Sequence, residues 1–238
     1  MATPAEVAAY RASQQDVVAL AHAELAAWWA SQDTSDPRAA AAALETALPD
    51  LVAAYGDMAM AVAADWYDML REQARASGAY RAALAWSLPA EQVQATARWA
   101  AGPLFGEPPD PAKALSMLAG AVQRLVQQGG RDTLWRNAQR DPSEVRWARV
   151  PHGAKTCAWC RMLASRGAVY LTRKSAGGGL FNRWHDRCDC TPTPVWQGQA
   201  LPYDADALYQ EYANARDAAG SGNPKVITAQ MRRDLGIN

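Results

Sequence analysis

Cys157-Ala-Trp-Cys160, followed after 24 residues by His185-Asp-Arg-Cys188-Asp-Cys190, contains all four cysteines of this 238-residue chain and one of its three histidines. No other feature restricts the fold as strongly, because it ties two segments that are well separated in sequence to one point in space. A Cys-x-x-Cys turn aims two thiolates at a common centre, and a later His-x-x-Cys-x-Cys supplies the rest of a tetrahedral nitrogen/sulfur shell of the kind Zn²⁺ prefers. Five candidate ligands, Cys157, Cys160, His185, Cys188 and Cys190, compete for four places. On a strand Cys188 and Cys190 would share a face, so both can ligate in place of His185, or one can stand aside. Disulfide pairing and ordinary thiols in a small core are the competing readings. The opening Met-Ala-Thr-Pro-Ala-Glu has neither a basic region nor the apolar stretch of a secretory signal. The expected compartment is therefore a reducing cytosol, where disulfides are rare.

Half of the residues are apolar, enough for a sizeable core, yet no run approaches the roughly 20 uninterrupted apolar residues that span a bilayer. No membrane partner is expected. Arginine outnumbers lysine 20 to 4 and alanine is abundant, a bias that reads as GC-rich coding and hints at an actinobacterial setting. The net charge of zero hides an asymmetry: residues 1–144 carry 11 basic and 17 acidic groups, residues 145–196 carry 9 and 2, and residues 197–238 carry 4 and 5. The cysteine region is thus a basic island of Arg146, Arg149, Lys155, Arg161, Arg166, Arg173, Lys174, Arg183 and Arg187. Such an island meets phosphates, an acidic partner, or the acidic helices of its own chain.

The first 140 residues read as helices. Val7, Tyr10, Val17, Ala21, Leu25 and Trp28 fall near one stripe, and a polar break at Ser31–Pro37 ends it. Leu51, Tyr55, Met58, Val62, Trp66 and Met69 recur at steps of three and four, which predicts one face of a long helix from about Pro49 to Ala76. Pro89 marks another helix start. Asp110-Pro111 is an N-cap followed by a first-turn proline, with Leu115, Leu118, Val122 and Leu125 as its buried stripe and Gly129-Gly130 as its expected end. Beyond Asp141-Pro142 the texture changes. Val145–Val150 alternates like a strand, Gly167–Thr172 reads as a second, and Cys190–Trp196 as a third whose prolines suit an edge. Cys160–Ser165 fits one helical turn and Ser175–Gly179 a flexible loop, with Gly167 in Ser165-Arg166-Gly167 at positive φ. Helices are expected at Asp204–Ala218 and Lys225–Leu235. The fold class is α+β, mostly α: a helical region over 1–140, a small zinc-stapled α+β module over 141–198, and a helical tail over 199–238. A unit of about 50 residues commonly uses a metal in place of missing core.

Trp147-Ala-Arg-Val150, the run from Cys157 to Tyr170, Trp184-His-Asp-Arg-Cys-Asp-Cys190 and Pro194-Val195 together resemble the phage Mu F-like head-morphogenesis family. The form is most similar to the minor capsid proteins of tailed phages of actinobacteria. The resemblance covers roughly Arg131 to Trp196. It implies a minor component of the phage head, associated with the portal vertex. Carried onto this chain, the family's cysteine pairs and histidine fall on Cys157, Cys160, His185, Cys188 and Cys190. Many relatives have Pro-Asn where this chain has Asp186-Arg187, a departure that leaves the ligands in place.

The leading expectation is a structural protein inside the virion, near the portal and made in the host cytoplasm. Its partners would be portal, scaffold or major capsid proteins, and packaged DNA non-specifically. Arg166, Arg173, Lys174, Arg183 and Arg187 are the candidate contacts to nucleic acid or partner. The zinc is expected to be structural, with a closed shell. The alternative is a zinc-containing DNA-binding or nuclease-like module. A nuclease needs a general base and an open metal position, and a zinc deaminase needs His-x-Glu ahead of Pro-Cys-x-x-Cys. Neither pattern is present, and no enzyme is expected. Trp159 reads as a lid over the metal shell or a packing residue, and His22 and His152 as surface or satisfied helix residues.

Overall fold

A computed structural model describes residues 1–152, 156–169 and 190–237. Local start signals set the helices of the first part. Helix α1 (Pro4–Ala30) opens with a reciprocal cap, in which Thr3 Oγ1 accepts from the Glu6 N–H at 3.2 Å and Glu6 Oε2 accepts from the Thr3 N–H at 2.7 Å. Asp36 caps α2 (Pro37–Gln73) and Asp110 caps α4 (Pro111–Arg140), each followed by proline at the first helical position. Between them lie α3 (Ala90–Ala101) and a short 3₁₀ turn, Gly102–Phe105.

Three sequence expectations fail here, each for a physical reason. Helix α2 begins at Pro37 rather than near Pro49, because Asp36-Pro37 is the same start signal as Asp110-Pro111. Pro49 lies inside the helix, where it removes one backbone donor. The buried Leu48, Leu51 and Val52 around it hold the segment helical through packing. The buried face of α2 is also rotated relative to the expected stripe: Leu51 and Trp66 are buried, but Met58 and Met69 are 43% and 38% exposed. Small residues occupy the true contact, with Gly56, Ala59 and Ala63 facing inward. Helix α4 explains why. Gly129 and Gly130 do not end it but lie within it, against α2. A Cβ on Gly129 would stand 3.0 Å from the Gly56 carbonyl oxygen and 3.0 Å from Met60 Cγ, and one on Gly130 would stand 3.0 Å from the Ala59 oxygen. Those contacts are tighter than ordinary packing, so a side chain there would need its neighbours to shift, and the glycines mark a close helix crossing.

Helices α1 to α4 enclose the main core, which includes Leu25, Leu44, Leu48, Val93, Leu104, Leu118 and Leu125. Among the described residues α2 is the one helix long and apolar enough to cross a membrane, and here it packs against α1, α3 and α4 as the central helix of this core. The extended segment after α2 is tied to side chains rather than to a strand. Asn137 of α4 accepts from the Ala83 N–H and the Tyr80 hydroxyl and donates to the Ala83 carbonyl, Thr133 accepts from the Ala85 N–H, and Arg136 donates to the Leu84 carbonyl.

Strands β1 (Val145–Val150) and β2 (Thr191–Trp196) form an antiparallel ribbon, with Val145 opposite Trp196 and Val150 opposite Thr191. Both match the expected segments. Pro192 and Pro194 are tolerated because each strand of a two-stranded ribbon has an open edge. Gly167–Val169 is not a strand, and the rest of the expected middle strand, like the loop expected at Ser175–Gly179, lies outside the described residues. Helix α5 (Ala158–Ala164) starts two residues before the expected turn. Helices α6 (Ala205–Ala219) and α7 (Pro224–Leu235) fall where expected, capped by Asp204 and Asn223. The chain is accordingly α+β and mostly α. The ribbon shares a core with the helical body, since Val145, Val150 and Trp196 pack with Val7, Tyr10, Trp66, Tyr67, Leu70 and Leu134.

Asp141 fixes the turn between α4 and β1. Its side chain is fully buried and accepts from Tyr67 at 3.0 Å, from Arg71 Nε at 2.8 Å, and from the N–H and hydroxyl of Ser143 at 2.9 and 2.6 Å. Burial pushes its pKa up, but the bonds from Ser143, Arg71 and Tyr67 outweigh that and hold it below the ordinary 3.8. The folded value is depressed, so the stabilisation is present above the unfolded pKa and is lost as pH falls through the folded one. Asp141→Asn is expected to cost about 2 kcal/mol near pH 7. Urea melts should show that cost shrinking below pH 4, and an unchanged cost across that range would contradict the assignment.

Candidate metal centre

Cys157, Cys160 and Cys190 come together from two places in the chain, the first turn of α5 and the residue before β2. Cys157 is the N-cap of α5, where its Sγ accepts from the Cys160 N–H at 3.4 Å. Cys160 lies one turn in, fully buried. Cys190 immediately precedes β2 and is 4% exposed. The three pack as one small cluster. Cys157 and Cys160 thus sit at the N-terminus of α5, and Cys190, just before β2, packs with them.

The charge environment is distinctive. Arg149, on β1, is fully buried, and its Nη1 lies 3.6 Å from Cys190 Sγ. His152 Nε2 is 2.8 Å from Thr191 Oγ1, and the Thr156 hydroxyl donates to the His152 carbonyl at 2.7 Å, so His152 is satisfied within the turn. His22 is satisfied too, with Nε2 2.8 Å from the Ala119 carbonyl oxygen. On the far side of α5, Ala158, Met162 and Leu163 pack with Ala215, Ile227 and Met231 of α6 and α7, and Trp159 lies at the margin of that cluster. Trp159 is a packing residue of the C-terminal helices. Arg161 of the basic island makes a two-pronged ion pair with Glu211 of α6, Nε to Oε2 at 2.7 Å and Nη2 to Oε1. Arg146 pairs with Glu144 at 3.3 Å at the surface, where such pairs contribute little. Arg166 is exposed in the turn after α5, and Gly167 has the expected positive φ of 66°.

His185, Cys188, Arg173, Lys174, Arg183 and Arg187 lie outside the described residues. Among the described residues no group of three His, Cys, Asp or Glu side chains is placed to hold a metal ion. Cys160 and Cys190 are buried and Cys157 is half-buried, and sulfur is the type of donor that a soft divalent cation takes. The sequence groups Arg149 with the basic island but does not mark it as buried. Its place in Trp147-Ala-Arg-Val150 gives a face of the strand but no sign that both faces are covered, whereas every residue of β1 except Arg146 is buried. A second feature without sequence signal is a pair of clefts over α4. One of about 440 Å³ is bordered by Trp86, Gln128, Trp135 and Trp147, the other of about 380 Å³ by Tyr10, Gln14, Gln123 and Cys190, and both touch Arg131 and Pro192.

The helical body and the cysteine-bearing ribbon belong to one phage protein. Residues 1–215 match the family model described as VG15 protein, and the chain belongs to that family. It is 27% identical over 244 residues to the Gene 15 protein of Mycobacterium phage L5, covering 80% of this chain and 81% of that protein. It is 30% identical over 165 residues to the Gene 15 protein of Mycobacterium phage D29, covering 52% of this chain and 60% of that protein. No solved structure matches.

Proposed function

We propose that the chain is a minor capsid or head-morphogenesis protein of a tailed phage, similar in role to the Mu F-like proteins. It would act inside the virion near the portal, in capsid assembly and in DNA packaging or ejection. The observation that carries this reading is that one phage family spans residues 1–215, from α1 through the cysteine segment and into α6. The Mu F-like cysteine pattern is then part of a larger phage component. We read that pattern as a structural Zn²⁺ site drawing four ligands from Cys157, Cys160, His185, Cys188 and Cys190, a staple rather than a reaction centre. Its partners are portal, scaffold or major capsid proteins, with Arg166, Arg173, Lys174, Arg183 and Arg187 providing charge for an acidic protein surface or for DNA phosphates.

Disrupting the gene in an infecting phage tests this. Electron microscopy of the lysate should show a loss of filled heads, restored by the wild-type protein supplied in trans and not by a Cys157→Ala/Cys160→Ala protein. Normal yields of infectious particles without the protein would overturn the reading. If the purified protein cleaved DNA with added Mg²⁺ or Mn²⁺, the nuclease-like alternative would replace it.

A further inference from the structure

Leu84 and Trp86 are 44% and 70% exposed, and both lie on the extended segment between α2 and α3. That segment is bonded like one strand of a pair whose other member is a helix. The Asn137 side chain of α4 takes both the N–H and the carbonyl of Ala83, at 2.8 Å each, and Thr133 accepts from the Ala85 N–H at 3.0 Å. In an extended chain the intervening residues turn their backbone groups to the opposite side. On that side Asp68 of α2 accepts from the Ala82 N–H at 2.8 Å, and Arg136 reaches the Leu84 carbonyl at 2.6 Å. The N–H groups of Leu84 and Trp86 make no hydrogen bond among the described residues. Unpaired donors on an exposed extended segment are a template for pairing with another chain.

The side chains beside this edge are basic, although residues 1–144 carry 11 basic and 17 acidic groups. The Arg136 guanidinium lies over the Trp86 ring, 4.1 Å from its centroid, and that of Arg140 lies 5.8 Å away. Neither arginine has a carboxylate partner among the described residues. Arg81 comes no nearer than 3.7 Å to Asp68, and its side chain is 86% exposed. On the α2 flank Asp57 is engaged by the Ser87 hydroxyl at 3.2 Å. Tryptophan and arginine are the side chains that most often dominate protein interfaces, and an exposed leucine beside them suits a peptide better than a phosphate backbone.

We propose that residues 81–87 form a docking edge for an extended acidic segment of a partner protein. The segment pairs its backbone with the Leu84 and Trp86 N–H groups, lays an apolar side chain on Leu84 and Trp86, and sets its carboxylates against Arg81, Arg136 and Arg140. The proposal goes beyond the assembly role, since such an edge serves a partner inside or outside the head, and it uses none of the cysteines.

The test pans a library of random linear peptides against the immobilised full chain, with Trp86→Ala and Arg140→Glu panned in parallel. Both side chains are exposed, so the variants should give the same urea melts as wild type. Peptides enriched on wild type should be rich in Asp and Glu around an apolar residue, and a synthetic copy of one should bind each variant about 10-fold or more weakly. Methylating alternate backbone nitrogens of that peptide should abolish binding, because it removes the edge pairing. Enriched peptides without acidic character, or bound equally by wild type and Trp86→Ala, would overturn the proposal. So would a single-stranded oligonucleotide that binds through Trp86 when no peptide does, or light scattering that shows wild type, but not Trp86→Ala, to be a dimer.

Discussion

Stripping zinc from the protein with a chelator at neutral pH is expected to dismantle the packing around Cys157, Cys160 and Cys190 while α1 to α4 stay helical. Structural zinc contributes roughly 10–16 kcal/mol in zinc-finger peptides, which have almost no other core. The loss here should be smaller, because Val145, Val150 and Trp196 remain anchored to Tyr10, Trp66 and Tyr67. The main helical core takes no residue from the ribbon or from α5, so far-UV circular dichroism should keep most of its helical signal. The near-UV signal from Trp159, which lies between Cys157 and Cys160, should collapse. Replacing both Cys157 and Cys160 with alanine should reproduce the effect, since the three remaining candidates cannot fill four places. Elemental analysis finding no zinc, with every thiol freely titratable, would contradict this account.

Trp66→Ala should lower stability by about 3–5 kcal/mol. The indole is 6% exposed and stacks on Tyr10 with ring centroids 4.0 Å apart and planes 5° from parallel, joining α1 to α2 at the level where the ribbon docks. Trp66→Phe should cost much less: it keeps an aromatic ring against Tyr10 and removes an indole N–H that has no hydrogen-bond partner among the described residues. A docking face for another head protein would behave differently, with Trp66→Ala folding normally and failing only in assembly. Thermal melts of the two variants distinguish these outcomes, and the burial of Trp66 predicts the first.

Much of the fold was legible because it is written in local signals. Asp110-Pro111, Asp204 and Asn223-Pro224 are caps that act through their own backbone neighbours, so α4, α6 and α7 begin where the sequence places them. Alternation and turn residues likewise located β1 and β2. What failed was information held between elements. Gly129-Gly130 looks like a helix stop on its own, and only the backbone of α2, 3.0 Å from where a Cβ would stand, turns it into a crossing point. The stripe on α2 was misjudged because methionine outranks alanine in hydrophobicity, whereas close approach to α4 selects Gly56, Ala59 and Ala63. At the site, Cys157 and Cys160 are neighbours by their spacing on one helix turn, and Cys190 packs with them. Arg149 gave no warning: a basic residue on a strand normally faces water, and its burial follows from the cover over both faces of β1.

The family relationship makes the chain a phage protein, and the account built on it is that of an architectural component of the head. Quantitative mass spectrometry of gradient-purified procapsids and mature particles tests that most directly. A few copies per procapsid, at a fixed ratio to the portal protein, is the predicted result. Absence from both kinds of particle, with the protein confined to the infected-cell lysate, would contradict it.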